Sequence, residues 1–487
     1  MLDNRISQQF LRQQCLIDGA WVDARDGGRI AVTNPASGAL LGHVPQCGRA
    51  ETARAIAAAD AALPAWRAMT AAARSALMMK LYDALMAHQD ALAELLTLEM
   101  GKPLAESKGE IAFGAAYIKW FAEEAKRVYG DIIPAPWPGK RILVTKEPVG
   151  VVGAITPWNF PNSMIARKLG AALAAGCTMV IKPASQTPYS ALAFGVLAEQ
   201  VGIPAGVINI VTGKASDIAA EMCENPALRK ITFTGSTAVG QNLASAAMRH
   251  MKRVSMELGG NAPFIVFDDA DIDAAVAGAM ISKFRNAGQT CVCTNRFLVQ
   301  AGVYDQFAEK LAAAVAALKV GDGLAPGVEQ GPLIDEAAVR KVEEHVADIQ
   351  AKGGRLMMGG KRHALGGTYF EPGVAVDVTP AMLIAQDETF GPLAPLFKFE
   401  REDEAIRIAN DTQYGLASYF YTRDLGRAFR VMEALEYGLV GVNEGLISTE
   451  VAPFGGYKAS GVGKEGSKYG VEDYVNVKYA CLGGLGL

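Results

Sequence analysis

The sequence lacks the features that mark several classes of protein. Its 487 residues include only 5 histidines, and neither an HxxxH nor a CxxC pair occurs, so no metal site is predicted. The 7 cysteines are odd in number and scattered, which disfavours a disulfide framework and favours reduced thiols in a cytoplasmic protein. The longest apolar run, residues 169–181, is shorter than the roughly 18 residues of a membrane span. The polar start LDNRISQQF lacks the apolar core of a signal peptide.

The charge balance also excludes some partners. Lysine and arginine number 47 against 51 aspartate and glutamate, which gives a net charge of -4. No basic field is therefore available for nucleic acid or for an anionic membrane surface. Half of the residues are hydrophobic and 20% are charged, as is typical of globular proteins, and the length suffices for two or three domains.

The order of periodic segments predicts an α/β fold. Short strands and turns extend to about residue 48, and a helical region with breaks at Pro64 and at 101–103 follows. Beyond two extended runs at 140–155, strands alternate with helices in two blocks that meet near Glu257. Such alternation indicates βαβ units and a parallel, doubly wound sheet.

Two segments contain the residues of a covalent catalyst. In FRNAGQTCVCT, Cys291 follows a Gly-Gln pair that suits a tight bend, so its thiol can project into a cavity. In MELGGNAP, Glu257 precedes two glycines, where backbone can approach closely. A thiol becomes a nucleophile when a base lies within reach. The alternative, a buried structural cysteine, is the usual state of an arbitrary cysteine.

Four further motifs point to a bound dinucleotide and an oxyanion. FTGSTAVG is a glycine turn that opens a helix, although no GxGxxG follows the first strand. Lys182 ends the strand VIKPAS, and Glu388 and Phe390 lie in the bend ETFGP. In TPWNFPN, prolines hold Asn159 in an extended turn, where its amide can donate to an oxyanion. Taken singly, Lys182 could be a solvated lysine and Asn159 a turn former.

Together and in this order, the motifs resemble the aldehyde dehydrogenase superfamily from TNPASG to GGYKASGVG. FRNAGQTCVC, NEGLISTEVAPFGG and EGSKYGVEDY are similar to the NADP-type succinate-semialdehyde dehydrogenases within it. The resemblance implies two doubly wound α/β domains plus a small β oligomerisation element. It assigns 1–130 and 150–256 to a Rossmann-like cofactor-binding domain, 257–455 to a catalytic domain, and 131–149 and 470–487 to oligomerisation strands. A homodimer or homotetramer is therefore expected.

The resemblance also implies a role for each site residue. Cys291 is the expected nucleophile and Glu257 the base that activates water to hydrolyse a thioester. Asn159 and the backbone N–H of Cys291 form the expected oxyanion hole. The cofactor is expected to be NADP, with NAD as the alternative. The implied cofactor-binding residues are Thr156, Pro157, Trp158, Lys182, Ala184, Ser185, Gly235, Ser236, Leu258, Glu388 and Phe390.

The implied substrate is a small aldehyde with a distal carboxylate, namely succinate semialdehyde from γ-aminobutyrate degradation. Arg167 and Arg285 match the arginines that bind that carboxylate, and Ser448 adds a hydroxyl donor. Arg285 could instead form a surface pair at a helix end, which would contribute little. Related enzymes in which a CVC loop closes and opens also imply a redox switch between Cys291 and Cys293.

Other readings of the same residues are open. Glutarate semialdehyde is one methylene longer, and a hydrophobic pocket separates such homologues by only about 1–3 kcal/mol. A retired enzyme or an NAD-binding module without chemistry is disfavoured because Cys291, Glu257 and Asn159 are all present. Glu257 also favours water over coenzyme A as the acyl acceptor.

Overall fold

The structure, a computed structural model, describes residues 6–484 as mixed helices and strands. The α-helices are α1 (Arg49–Ala68), α2 (Ala71–Ala87), α3 (Gln89–Met100), α4 (Leu104–Glu124), α5 (Ser163–Ala175), α6 (Tyr189–Val201), α7 (Ala215–Glu224), α8 (Thr237–Met248), α9 (Ile272–Phe284), α10 (Tyr304–Ala316), α11 (Glu336–Ala351), α12 (Glu402–Asn410) and α13 (Leu425–Ala434). The strands are β1 (Cys15–Ile17), β2 (Ala20–Val22), β3 (Arg29–Thr33), β4 (Leu40–Pro45), β5 (Asp131–Ile133), β6 (Arg141–Pro148), β7 (Val151–Ile155), β8 (Thr178–Lys182), β9 (Ile208–Ile210), β10 (Leu228–Thr234), β11 (Arg253–Glu257), β12 (Ala262–Val266), β13 (Thr294–Gln300), β14 (Arg355–Met358), β15 (Gly373–Val376), β16 (Leu393–Phe399), β17 (Tyr414–Gly415), β18 (Ala417–Tyr421), β19 (Leu439–Val442), β20 (Tyr457–Lys458), β21 (Gly461–Val462) and β22 (Val475–Leu482).

The first sheet has the order β2-β1-β9-β8-β7-β10-β11-β21. Strands β9 to β11 in this order are parallel, and antiparallel strands complete both edges. Met179 and Ile181 of β8 pack into the core formed with α2 to α6, whereas Val180 packs into the core formed with α1, α7 and α8. Helices therefore cover both faces, as a buried parallel sheet requires.

The second sheet has the order β14-β15-β16-β13-β12-β18-β19 and is parallel except for β14. Phe297 and Val299 of β13 pack with α9 and α10, and Leu298 packs with α11, α12 and α13 on the other face. Two doubly wound sheets confirm the predicted α/β class.

A third sheet projects its strands into solvent. It has the order β22-β6-β5, and Ile132, Val477 and Tyr479 are exposed. The sheet falls within the segments predicted for oligomerisation, although residues 485–487 lie outside the described chain. No helix in residues 6–484 is long and apolar enough to cross a membrane.

Strand order places the site at the carboxyl edge of the first sheet. The chain passes from β7 to β8 and β9 on one side, and returns to β10 and β11 on the other. The connections after β7 and β10 thus leave in opposite directions, which opens a crevice where ligands bind in such sheets. Residues 156–159 follow β7, and Gly235 and Ser236 follow β10.

Three expectations about the elements are wrong. Helix α1 continues through Pro64, which is exposed, because Trp66 one half-turn later is buried and holds the chain in place. The break comes instead at Thr70, whose hydroxyl accepts a hydrogen bond from the N–H of Ala73 at 3.2 Å. The periodic pattern of the second block predicts no strand between residues 355 and 399, but β14, β15 and β16 lie there. The helix-like run of residues 271–286 predicts a helix to Asn286, but α9 ends at Phe284 because the chain enters the left-handed conformation at Asn286.

Candidate active site

A strained turn presents Cys291. Asn286, Ala287 and Gly288 have φ angles of 52°, 53° and 73°, in the left-handed region that side chains disfavour. Glycine is required at the third position because a Cβ there would lie 2.2 Å from the carbonyl oxygen of Gly391. The turn ends α9 and brings Cys291 out of the core as a half-buried residue.

Two cavities of about 270 and 310 Å³ meet at Cys291, which lines both of them together with Met164. The first cavity is otherwise lined by Glu106, Gly109, Glu110, Phe113, Phe160, Ser163, Arg167, Arg285, Thr290, Val292, Leu446, Ser448 and Phe454. The second is otherwise lined by Pro157, Trp158, Asn159, Thr234, Gly235, Ser236, Leu258, Gly259, Glu388 and Phe390. One thiol can therefore contact two different molecules.

Arg167 supplies a buried positive charge to the first cavity. It projects from α5 and is 3% exposed, and its guanidinium carbon lies 4.3, 5.1 and 5.0 Å from the ring centres of Phe454, Phe113 and Tyr117. Within the described chain its Nε and Nη1 donate no hydrogen bond, and the nearest carboxylate oxygen, on Glu465, is 3.6 Å from Nη1. A buried cation with unused donors favours an anionic ligand.

Arg285 and Ser448 line the same cavity, so the structure brings the three predicted carboxylate-binding residues together. The Arg285 guanidinium lies 5.4 Å from the ring centre of Phe160. The alternative of a surface ion pair is wrong, since no ion pair of Arg285 occurs in the described chain and its side chain faces the cavity.

The second cavity collects most of the predicted cofactor-binding residues. Trp158 and Phe390 meet edge to face with ring centres 5.5 Å apart. Glu388 accepts a hydrogen bond from the N–H of Gly260 at 3.1 Å. Burial raises the pKa of Glu388 to about 7, against the lowering effect of that hydrogen bond. A Cβ at Gly259 would lie 2.7 Å from Glu388 Oε2, so glycine is needed for this close approach.

The remaining predicted cofactor residues lie beside the second cavity without lining it. Thr156 follows β7, and Lys182, Ala184 and Ser185 end or follow β8. Lys182 is 5% exposed, and its ammonium has no hydrogen-bond or ion-pair partner in the described chain. Burial lowers its pKa to about 8. The buried hydroxyl of Thr156 likewise has no partner there. Both groups are available to a ligand.

Glu257 is buried at the end of β11 and lines neither cavity. Burial and the charge of Glu465 raise the pKa of Glu257 well above its usual value, and Lys168 and Arg167 oppose the shift. Burial raises the pKa of the Cys291 thiol to about 12, against the effect of Arg167, and Glu257 is among the charges that add to the rise. Burial therefore favours the protonated form of both groups.

Asn159 lines the second cavity, and one N–H of its side-chain amide donates no hydrogen bond within the described chain. Its Nδ2 donates to the carbonyl of Gln289 at 3.0 Å, which uses one of two N–H groups. Its backbone carbonyl accepts from Lys102 Nζ at 2.7 Å and from Asn286 Nδ2 at 3.0 Å. The side chain is thereby held beside Cys291, as an oxyanion donor requires.

Cys293 lies behind the turn. It is 3% exposed, and its thiol donates to the carbonyl of Lys283 at 3.3 Å. Neither Cys291 nor Cys293 is in a disulfide, and Cys293 lines neither cavity. A bond between them requires the Cys293 thiol to leave its present hydrogen bond, and the redox switch stays a prediction.

Motif reading missed several residues that surround the site. Lys102 precedes α4, and Glu106 and Glu110 lie in the first two turns of α4 and line the first cavity. Their spacing of four residues in GKPLAESKGE would place them on one helix face and is the signal that could have found them. Among residues 6–484 no group of three or more histidine, cysteine or acidic residues could hold a metal ion.

Known proteins share this architecture along nearly the whole chain. The family model for the aldehyde dehydrogenase family matches residues 21–480. Glutarate-semialdehyde dehydrogenase from Pseudomonas aeruginosa is 62% identical over 98% of this chain and 99% of its own length. The NADP-type succinate-semialdehyde dehydrogenase of Escherichia coli is 61% identical over 97% of this chain and 98% of its own. The crystal structure of succinate-semialdehyde dehydrogenase from Burkholderia pseudomallei has a TM-score of 0.98 at 59% identity, and the match covers 99% of this chain and 100% of that one. These matches confirm the predicted resemblance, and the chain belongs to the aldehyde dehydrogenase family.

Proposed function

We propose that the protein oxidises succinate semialdehyde to succinate, with NADP as the electron acceptor and NAD as a weaker substitute. The observation that carries the proposal is the first cavity, where Arg167 offers unused buried donors in the same space as Cys291. A small aldehyde with a distal carboxylate satisfies both groups at once. The name of the 61% identical relative from Escherichia coli supports the same substrate and cofactor.

The residues around the second cavity fit a dinucleotide. Lys182 and Thr156 are buried without partners, and the cavity opens where β7 and β10 diverge, beside the amino end of α8. When bound, the nicotinamide cofactor supplies the acceptor for the hydride of the substrate. Ser185 is compatible with a 2′-phosphate because its side chain carries no negative charge that would repel one.

Cys291, Asn159 and Glu257 have separate roles in the proposed reaction. Cys291 loses its proton to solvent and adds to the aldehyde carbon as the thiolate, and the oxyanion that forms accepts hydrogen bonds from Asn159 Nδ2 and the N–H of Cys291. One such donor is worth about 3–4 kcal/mol. After oxidation, Cys291 holds the acyl group as a thioester. Glu257 removes a proton from the water that hydrolyses it, and its raised pKa makes the ionised carboxylate a stronger base.

The organisation of the chain follows from the same proposal. Residues 1–130 and 150–256 form the cofactor-binding domain, which contains most strands of the first sheet. Residues 257–455 form the catalytic domain, and 131–149 with 470–487 join subunits into a homodimer or homotetramer. The short strand β21 returns to the first sheet from beyond the catalytic segment. We place the enzyme in the cytoplasm, in γ-aminobutyrate degradation.

A second candidate substrate is glutarate semialdehyde. The relative from Pseudomonas aeruginosa that is 62% identical carries that activity in its name. One methylene changes binding by only about 1–3 kcal/mol in an apolar pocket, so one cavity can serve both aldehydes at different rates.

The test measures steady-state rates with succinate semialdehyde, glutarate semialdehyde and propanal, each with NADP and with NAD. We expect kcat/KM for succinate semialdehyde to exceed that for propanal by at least about 30-fold, the lower bound for a buried charge contact. Equal values for propanal and both semialdehydes would refute carboxylate recognition. A higher value for glutarate semialdehyde would assign the second substrate.

A further inference from the structure

A buried ammonium holds the backbone at Asn159. Lys102 is 1% exposed, and its Nζ donates to the carbonyl oxygen of Asn159 at 2.7 Å and to Glu110 Oε2 at 2.6 Å. The same nitrogen lies 3.7 Å from the ring centre of Phe160. Lys102 lines neither cavity, so it has no route to the substrate except through these neighbours.

Two glutamates of α4 accept hydrogen bonds from the start of α5 and from the turn before Cys291. Glu110 Oε1 accepts from the N–H groups of Asn162 at 2.9 Å and Ser163 at 3.2 Å, where α5 begins. Glu106 Oε2 accepts from the N–H of Asn286 at 2.8 Å, in the turn that precedes Cys291. The start of α4 therefore hydrogen-bonds to both chain segments that meet at the thiol.

We propose that Lys102 is a positioning residue for Asn159, and that its two hydrogen bonds set the orientation of the oxyanion donor. The proposal rests on the proposed function, in which Asn159 donates to the oxyanion. Within residues 6–484 the carbonyl of Asn159 has one other donor, Asn286 Nδ2. Without Lys102 this carbonyl keeps only that hydrogen bond, and a displacement of about 1 Å can cost about 100-fold in rate.

A double-mutant cycle tests this dependence. Lys102→Met keeps an unbranched side chain and removes the donor, and Asn159→Ala removes the oxyanion donor but keeps the backbone carbonyl. We expect Lys102→Met to lower the rate of reduced-cofactor formation from propanal by about 10- to 100-fold. In the Asn159→Ala background the same substitution should cost less than about threefold. KM for propanal should change little in either case.

Propanal separates this test from that of the proposed substrate, because it has no carboxylate to bind. If the protein does not prefer succinate semialdehyde over propanal, the substrate assignment is overturned. The double-mutant cycle with propanal can still be interpreted, because it does not depend on that preference. Equal losses from Lys102→Met in both backgrounds would overturn the positioning role, since a general structural defect affects both alike.

Lys102→Met leaves the carboxylate of Glu110 buried without its ion-pair partner, and the variant can fail to fold for that reason. A second variant keeps the test possible in that case. Lys102→Met with Glu110→Gln removes both charges and keeps an acceptor for the N–H groups of Asn162 and Ser163. Its thermal unfolding is measured beside its rates. The proposal is supported if the two substitutions lower the rate in the wild-type background but cost less than about threefold in the Asn159→Ala background. If this variant also fails to fold, Lys102 is a requirement of folding and the positioning role is refuted.

Discussion

At the scale of single residues, burial sets the protonation of the two reacting groups. Burial raises the pKa of both the Cys291 thiol and the Glu257 carboxyl, and the charge of Glu257 adds to the rise at Cys291. Ionising either group in these low-dielectric surroundings is costly, so burial favours the protonated form of each. Their roles can then be separated by removing one group at a time.

The first prediction concerns this separation. Cys291→Ala should abolish dehydrogenation because no thioester can form. Glu257→Gln should still give one equivalent of reduced cofactor in a burst and then stall, because the thioester is hydrolysed slowly. Rapid-quench kinetics measure the burst and the steady state. Glu309→Gln, at an exposed position, is the control and should behave as wild type. Full steady-state turnover by Glu257→Gln would contradict the assignment.

The second prediction concerns the carboxylate end of the substrate. Arg285→Ala should weaken kcat/KM for succinate semialdehyde by about 2–5 kcal/mol, roughly 30-fold or more, because a desolvated charge contact is lost. The value for propanal should change little. Arg340→Ala, on an exposed face of α11, is the matched control. Equal losses for both aldehydes would rule out carboxylate binding by Arg285.

The third prediction concerns cofactor choice. Ser185→Glu places a carboxylate near the expected position of the 2′-phosphate, so kcat/KM for NADP should fall much more than that for NAD. Steady-state rates at varied cofactor concentration give the ratio. Ser216→Glu adds the same charge at an exposed site of α7 and controls for net charge. An unchanged preference for NADP would argue against a role for Ser185.

At the scale of elements, the turn from Asn286 to Cys293 combines strain with a reactive thiol. Its left-handed residues end α9, and the N–H of Cys293 donates to the carbonyl of Thr290 at 2.9 Å. The turn is thus compact, and only Val292 separates the two cysteines. A disulfide between them requires the Cys293 thiol to leave its hydrogen bond to the carbonyl of Lys283.

The fourth prediction is reversible oxidation of this turn. Hydrogen peroxide oxidises the Cys291 thiolate to a sulfenic acid, and the Cys293 thiol displaces water from it to form a disulfide. Activity should be lost and should return with dithiothreitol. In Cys293→Ala, oxidation should proceed to sulfinic acid, so reductant should restore less activity.

Peptide mass spectrometry after peroxide treatment identifies the products. Cys481→Ala, which removes an exposed thiol of β22, is the control and should retain the reversible loss. A 291–293 switch is absent if Cys291 is found only as sulfinate or paired with another cysteine.

At the scale of the whole molecule, the projecting sheet of β22, β6 and β5 exposes apolar side chains to solvent. Strand β22 is exposed along nearly its whole length, and Val477 and Tyr479 are 67% and 58% exposed on one side of it. Apolar side chains at this exposure are stabilised by burial against a partner, at up to about 1.5–3 kcal/mol each.

The fifth prediction follows from this surface. Val477→Glu with Tyr479→Glu should shift the protein to a smaller assembly, because the charges cannot be buried between subunits. Sedimentation velocity measures the mass. Leu365→Glu, at an exposed loop position, is the control and should keep the assembly of the wild type. An unchanged mass in the double variant would exclude this sheet from the interface.

The sequence by itself determined the alternation of strands and helices, the α/β class and the family. These follow from local periodicity and from motifs a few residues long, such as those around Cys291, Glu257 and Asn159. Local patterns also indicated where α3 ends, since Gly101 adopts the left-handed conformation that ends a helix.

Only the tertiary structure decided how these motifs meet. Arg167, Arg285 and Ser448 share a cavity because α5, the turn after α9 and the chain after β19 pack together across some 280 residues of sequence (448 minus 167). The raised pKa values of Glu257 and Cys291 likewise come from burial by distant elements. Helix α1 passes through Pro64 because the packing of Trp66 outweighs one lost hydrogen bond. Each of these outcomes depends on long-range contacts, which local periodicity does not encode.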